Sequence, residues 1–192
     1  LFINLPGSKN GSIPSHNSLS DSNHFSIGYG YGLSVSLMHL VNAYTMLANA
    51  GSQTQLKYIT NTDSADKKQV LDMQISNTVL DMMREVVHSP DGTGSTIKPF
   101  IIYAALRNKV IDKSTIIDTA PGVIKLDNKE IKDWKYLGKV STSDIIKLSS
   151  NIGAAKVSKK LSKKQLTRNL DSFGFGQSLF LNLPGSKNGS VP

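Results

Sequence analysis

The chain has 192 residues, 39% of them apolar and 19% charged, with a formal net charge of +8, no cysteine and one tryptophan. A chain of this length buries roughly two thirds of the surface its unfolded form exposes, so a real core is available and disordered or fibrous classes are excluded. The lack of cysteine removes disulfide frameworks, thiol catalysis and Cys-based zinc or iron–sulfur centres, and leaves the redox compartment open.

In chain order, Ser15 to Asn23, dense in Ser, Asn and His, reads as a flexible loop. Ser36 is placed to cap a helix through Leu37, Leu40, Val41, Tyr44, Leu47 and Ala48, whose spacing makes one apolar face, with Gly51 as its stop. Thr54–Thr60 reads as a strand. Ser76 to His88 reads as a helix with Val79, Met82, Met83, Val86 and Val87 inward, ended by Pro90. Ser95 to about Arg107 reads as a buried helix, and Val123–Leu126 with Lys129–Ile131 as a hairpin around Asp127-Asn128. Ser143–Leu148 and Gly153–Leu161 read as helices broken at Ser149-Ser150-Asn151. Ser162 with Gln165 forms a capping-box start for a last helix ending near Phe173-Gly174, and Leu179–Leu183 reads as a strand. Helices and strands mixed without regular alternation predict an α+β fold.

The charge divides along the chain. Residues 1–94 carry five basic and seven acidic side chains, net −2, and residues 95–192 carry 17 and seven, net +10, which together give the +8. The densest basic group, Lys156, Lys159, Lys160, Lys163 and Lys164, lies in a helical pattern without the interleaved aromatics that stack on bases. A solvated face is the expectation there, and no nucleic-acid partner. The longest apolar run, Pro99 to Leu106, is too short for a membrane span, and no signal peptide is expected in the chain. The chain also ends as it begins. Leu1–Pro14 (LFINLPGSKNGSIP) and Leu179–Pro192 (LFLNLPGSKNGSVP) differ only at Ile3/Leu181 and Ile13/Val191. That spacing is far too long for a solenoid repeat, and it suggests a boundary between two related units.

Two short patterns carry chemistry. Ser95-Thr96-Ile97-Lys98 sets a hydroxyl and an amine three residues apart at a helix start, on one face and within reach of each other. Serine is a poor nucleophile until a base takes its proton, and a lysine desolvated by Pro99-Phe100-Ile101-Ile102 is such a base. By itself Ser-x-x-Lys is common and reads more readily as an N-cap beside a surface lysine. The second pattern, Ser149-Ser150-Asn151, puts a hydroxyl and a carboxamide at a helix break, where they could face Ser95 and Lys98 across a cleft; alone, it is also an ordinary cap sequence.

Together these patterns resemble the Ser-x-x-Lys and Ser-x-Asn motifs of penicillin-binding proteins and serine β-lactamases. The stretches GSTIKPFIIYAAL, VSTSDIIKLSSNIGAAKVS, FGFGQSLFLNLPGSKNGSVP and FSIGYGYGLSVSLMHLVNAYTMLANAG are similar to the transpeptidase domain of class B penicillin-binding proteins. DTAPGVIKLDNKEIKDW is most similar to the division-specific (septal) peptidoglycan D,D-transpeptidases. The resemblance covers nearly the whole chain. It implies the penicillin-binding protein and serine β-lactamase-like α+β fold, with helices around an incomplete antiparallel sheet. It also implies acyl transfer from D-Ala–D-Ala stem peptides during septal cell-wall synthesis. Ser95 would be the acyl-forming nucleophile, Lys98 its general base, Ser149 a proton relay and Asn151 a substrate-binding carboxamide. The implied partners are peptidoglycan stem peptides, β-lactams and divisome proteins, at the outer, periplasmic face of the bacterial inner membrane. No cofactor is implied, and His16, His24, His39 and His88 lack ligand-like clustering, so no metal is expected and each is read as a surface or satisfied side chain.

The family pattern breaks in two places. No Lys-Thr-Gly or Lys-Ser-Gly occurs in the sequence, so the strand that binds the substrate carboxylate and helps form the oxyanion hole is missing and impaired catalysis is expected. The order also differs. In the family the segment resembling 95–192 comes first and the one resembling 1–94 later, with a glycine-rich loop like Asp91-Gly92-Thr93-Gly94 shortly before the third motif. Residues 1–94 and 95–192 are therefore expected to form one partial domain from two related parents. The rival expectations are a non-catalytic binding module of the same fold and a basic domain for an anionic polymer, whose affinity would fall steeply with salt.

Overall fold

A computed structural model of the chain describes residues 12–54, 67–92, 95–126 and 129–177. Its elements in chain order are α1 (Asp21–Ile27), α2 (Leu37–Ala48), β1 (Ser52–Thr54), β2 (Lys67–Gln69), α3 (Met73–His88), α4 (Lys98–Arg107), β3 (Ile116–Asp118), β4 (Val123–Leu126), β5 (Lys129–Lys132), β6 (Lys139–Ser141), α5 (Thr142–Lys147), α6 (Asn151–Lys160) and α7 (Lys163–Ser172). The strands pair antiparallel, β1 with β2, β3 with β6 and β4 with β5, as separate two-stranded ladders among the described residues. The fold is α+β, and helices dominate among the described residues.

The centre is α4. Every residue from Lys98 to Ala105 is buried, as expected of a helix that is apolar on all sides and enclosed by others. Helices α3, α5, α6 and α7 surround it. Phe100 anchors an aromatic group, with ring centroids 4.9 Å from Tyr44, 4.8 Å from Phe173 and 5.1 Å from Phe175; Tyr103 lies 5.0 Å from Phe173. Tilted and edge-on contacts of this kind add to the area that the rings bury. The Tyr103 hydroxyl also accepts the Asp72 backbone N–H at 2.7 Å, tying the start of α3 to α4. Residues from both halves fill one core, in which Ile27, Met46, Leu47 and Val79 join Phe100, Tyr103, Ile145 and Phe173. Where α1 meets α6 the backbones nearly touch. A Cβ on Gly28 would fall 2.7 Å from the Ala154 carbonyl oxygen and 2.9 Å from the Ala155 Cα.

Several boundaries differ from the sequence expectation. The loop expected over Ser15–Asn23 instead turns at 16–18 and enters α1 within it, because Ser20 accepts the Asn23 N–H and the helix buries Phe25 and Ile27. Helix α3 starts three residues early, at Met73, since Asp72 caps the Ile75 N–H at 2.9 Å. The buried helix begins at Lys98 rather than Ser95, leaving Ser95 in irregular chain just ahead of it. Helix α5 starts at Thr142 through a capping box of Ser141 and Asp144. Of the strand read at Thr54–Thr60 only Thr54 is described, as the last residue of β1; positions 55–60, the hairpin turn at 127–128 and the Leu179–Leu183 strand lie outside the described residues. Of the terminal repeat, Ser12–Pro14 is described, and Ser12 bridges Ser34 through N–H···O bonds of 2.7 and 2.9 Å.

Because Phe173 joins the last helix to α4 through two aromatic contacts, Phe173→Ala should lower stability by about 3–5 kcal/mol. Urea unfolding measures this, and a loss under 1 kcal/mol would contradict a core centred on α4.

Candidate active site

Ser95 is held from α2. The Tyr44 hydroxyl donates to the Thr96 carbonyl at 3.0 Å and the Ser95 carbonyl at 3.4 Å, and burial pushes its pKa up to about 12, so it remains a donor at neutral pH. Lys98 follows at the first position of α4. Its side chain is buried and its amine ends at the joint between α5 and α6.

That joint has an unusual backbone. The Ser149 N–H bonds the Ile146 carbonyl and the Ser150 N–H the Ile145 carbonyl, the paired pattern that closes a helix with a left-handed residue. Glycine commonly fills that position, yet here Ser149 has φ +52°, at a cost on the order of 1–2 kcal/mol for a residue with a side chain. The turn exposes the Ser149 carbonyl and hydroxyl on one side. Ser150 then caps α6 by accepting the Gly153 N–H at 2.8 Å, and Asn151 opens the helix.

Lys98 Nζ donates to the Ser149 carbonyl at 3.0 Å, Ser149 Oγ at 2.9 Å and Asn151 Oδ1 at 2.8 Å, and lies 3.4 Å from Ser95 Oγ. All four residues singled out in the sequence, Ser95, Lys98, Ser149 and Asn151, therefore meet at one nitrogen. Lys98 is only 2% exposed, and this burial lowers its pKa from the ordinary lysine value to about 8, against a smaller opposing pull from the Asp133 carboxylate. An amine poised there is neutral often enough to take a serine proton and charged often enough to return it. Ser95 borders an open apolar cavity of about 350 Å³ lined by Tyr44, Met83, Val86, Pro99 and Ile146, and Asn151 borders a second cleft of about 610 Å³ walled by Tyr29, Tyr31, Lys129 and Lys132.

Three residues that sequence reasoning did not single out also make contacts at this joint. The Lys132 carbonyl accepts from Asn151 Nδ2 at 3.0 Å, which turns Oδ1 toward Lys98. The Asp133 carboxylate accepts from Ser150 Oγ at 2.9 Å and from the Asn151 and Ile152 N–H groups at 2.5 and 3.1 Å. The Trp134 indole N–H donates to the Leu148 carbonyl at 2.9 Å. No local pattern marks them, because the β4–β5 hairpin brings them to the joint only in the folded chain. Of the histidines, His39 is satisfied: Nε2–H donates to the Gln177 carbonyl at 2.7 Å, so Nδ1 is the acceptor that meets Ser36 Oγ at 2.6 Å. His24 departs from expectation, with its Nε2 buried and unpartnered and its pKa lowered by burial. Among the described residues no three His, Cys, Asp or Glu side chains gather closely enough to hold a metal ion. No helix among the described residues is long and apolar enough to cross a membrane.

The profile of the penicillin binding protein transpeptidase domain matches twice, at residues 1–94 and 92–192. The chain is 37% identical over 99 residues to peptidoglycan D,D-transpeptidase FtsI of Buchnera aphidicola subsp. Schizaphis graminum, covering 52% of this chain and 17% of that protein. It is 34% identical over 99 residues to the probable peptidoglycan D,D-transpeptidase PbpC of Pseudomonas aeruginosa, covering 52% and 18%, and 28% identical over 99 residues to FtsI of Escherichia coli K12, covering 52% and 16%. The chain spans less than a fifth of the length of these relatives. It belongs to the penicillin-binding protein transpeptidase family.

The Lys98 pKa fixes a pH dependence of stability. With its folded value near 8 and an unfolded value near 10.4, the unfolded chain binds the extra proton between those limits, so the penalty for burying the ammonium is relieved as pH rises through that window. Compared with Lys98→Met, the unmodified chain should gain on the order of 3 kcal/mol between pH 8 and pH 10.5. Paired urea titrations at the two pH values test this, and a constant difference would rule out the buried, depressed amine.

Proposed function

We propose that the chain carries the acyl-forming part of a septal peptidoglycan D,D-transpeptidase. One observation supports this above all: the buried Lys98 amine lies 3.4 Å from Ser95 Oγ and 2.9 Å from Ser149 Oγ. In the proposed reaction, Ser95 Oγ attacks the carbonyl carbon of the penultimate D-Ala while Lys98 takes the hydroxyl proton. The tetrahedral intermediate collapses, the peptide C–N bond breaks, and the terminal D-Ala leaves as its amine with a proton passed from Lys98 through Ser149 Oγ. The acyl–Ser95 ester is then attacked by the amine of a second stem peptide, which forms the cross-link and frees Ser95. A β-lactam enters the same way, its ring C–N bond breaking as the ester forms. Asn151, with Oδ1 on Lys98 and Nδ2 on the Lys132 carbonyl, flanks the cleft where the substrate amide would lie.

Residues 1–94 and 95–192 are proposed to be the later and earlier parts of one such domain in exchanged order, which the two separate profile matches support. The sequence lacks a Lys-Thr-Gly strand, so substrate carboxylate binding and one oxyanion donor are unsupplied. Acylation is expected to run at least about a hundred- to thousand-fold slower than in relatives that have it. On this reading the parent protein acts at the periplasmic face of the inner membrane, among division proteins.

A fluorescent penicillin decides the central claim. A slow covalent adduct should form on the intact chain, disappear in Ser95→Ala and fall about a thousandfold or more in Lys98→Met. No adduct on a cooperatively folding chain, or one that persists in Ser95→Ala, would leave the non-catalytic module as the better reading.

A further inference from the structure

The Ser149–Asn151 turn is not held by its own helices alone. A left-handed serine between two short helices costs backbone energy, and an ammonium aimed at it requires the acceptors to stay in place. The end of the β4–β5 hairpin reaches the turn at several points. Trp134 satisfies the Leu148 carbonyl at the exit of α5, and the Lys132 carbonyl fixes the Asn151 carboxamide. Between these contacts, one Asp133 oxygen accepts the first two N–H groups of α6 and the other accepts the Ser150 hydroxyl. Ser150 is fully buried, so this carboxylate reaches beneath the turn rather than decorating a surface.

We propose that Asp133 is a positioning residue for acylation: its carboxylate locks the Ser149–Asn151 turn in the geometry that presents Ser149 and Asn151 to Lys98. The inference rests on the acyl-transfer reading for its kinetic arm only. The charge of Asp133 adds a second effect, because it is the opposing charge that acts on Lys98 and holds the amine's pKa above the value burial alone would give. Charged groups on the neighbouring elements have partners of their own or carry the same sign as Lys98. Glu85 of α3 accepts from Ser143, Asp144 of α5 is bound to Ser141, Lys156 of α6 donates to the Asp118 carbonyl, and Tyr44 of α2 is an un-ionised phenol. Lys147 of α5 and Lys132 of β5 are cations, of which Lys132 is paired with Glu130 at 2.5 Å. The Asp133 carboxylate therefore couples the shape of the turn to the protonation of the base.

The test uses the full chain with isotope-labelled lysines, Lys98 being identified as the side-chain resonance absent from Lys98→Met. Asp133→Asn keeps an oxygen acceptor but removes the charge, and it should lower the Lys98 titration midpoint by about one pH unit. The pH profile of penicillin acylation should move the same way. Asp133→Glu keeps the charge and displaces it by one methylene, so the midpoint should stay within a few tenths of a unit of the original. Its acylation should nevertheless slow about tenfold to a hundredfold, because the turn is misplaced. An unchanged midpoint in Asp133→Asn overturns the electrostatic part, and unchanged acylation in Asp133→Glu overturns the positioning part. If the unmodified chain forms no adduct at Ser95, the acyl-transfer reading fails on its own, and the Lys98 titration still decides whether Asp133 acts on that amine.

Discussion

The burial of one ammonium group organises this molecule. Lys98 is almost wholly enclosed, and desolvation of a charge is tolerable only when hydrogen-bond acceptors replace the lost water. The acceptors come from two places: Ser95 just ahead of α4, and the Ser149 and Asn151 groups more than fifty positions later. Their convergence requires α4 to lie in the middle of the fold and the α5–α6 joint to press against its first turn. The apolar length of α4, the aromatic contacts of Phe100 and the left-handed Ser149 are all consistent with that demand. A glycine at position 149 would suit the backbone better, and the serine is understandable only through its hydroxyl. Local preference gives way here to what the lysine needs, as is common where a protein holds reactive groups.

Much of this was legible from the residues. Ser-x-x-Lys before an apolar run, and Ser-Ser-Asn between two helical patterns, named the four groups that meet at Lys98. Ser36 and Ser162 set helix starts through local hydrogen bonds, so the residues next to them carried the signal. Other features depended on distant partners and left no local trace. Helix α1 exists in a Ser-rich stretch because Phe25 and Ile27 find burial places, among them the face of α6 beside Gly28. Strands β2, β3 and β6 are three residues long, too short for an alternation to stand out. Asp133 and Trp134 gain their meaning from a hairpin that returns to a helix joint, which spacing along the chain cannot show.

Residues 1–94 and 95–192 share one core, because packing depends on which surfaces meet and not on the direction of the covalent path. Tyr44 and Met46, from the first stretch, lie against residues of the second. Among the described residues the strands form three separate two-stranded ladders, while the helical centre that holds Lys98 is closed.

The shared core has one further consequence. Neither stretch encloses α4 alone: residues 95–192 supply the helix and most of its surroundings, and residues 1–94 supply Tyr44, Met46, Leu47 and Val79. Produced separately, each piece would expose a broad apolar face and depend on the other for solubility. The two would behave as a split protein whose reassembly restores the lysine's dry surroundings, so complementation in trans would report on the site as directly as on the fold.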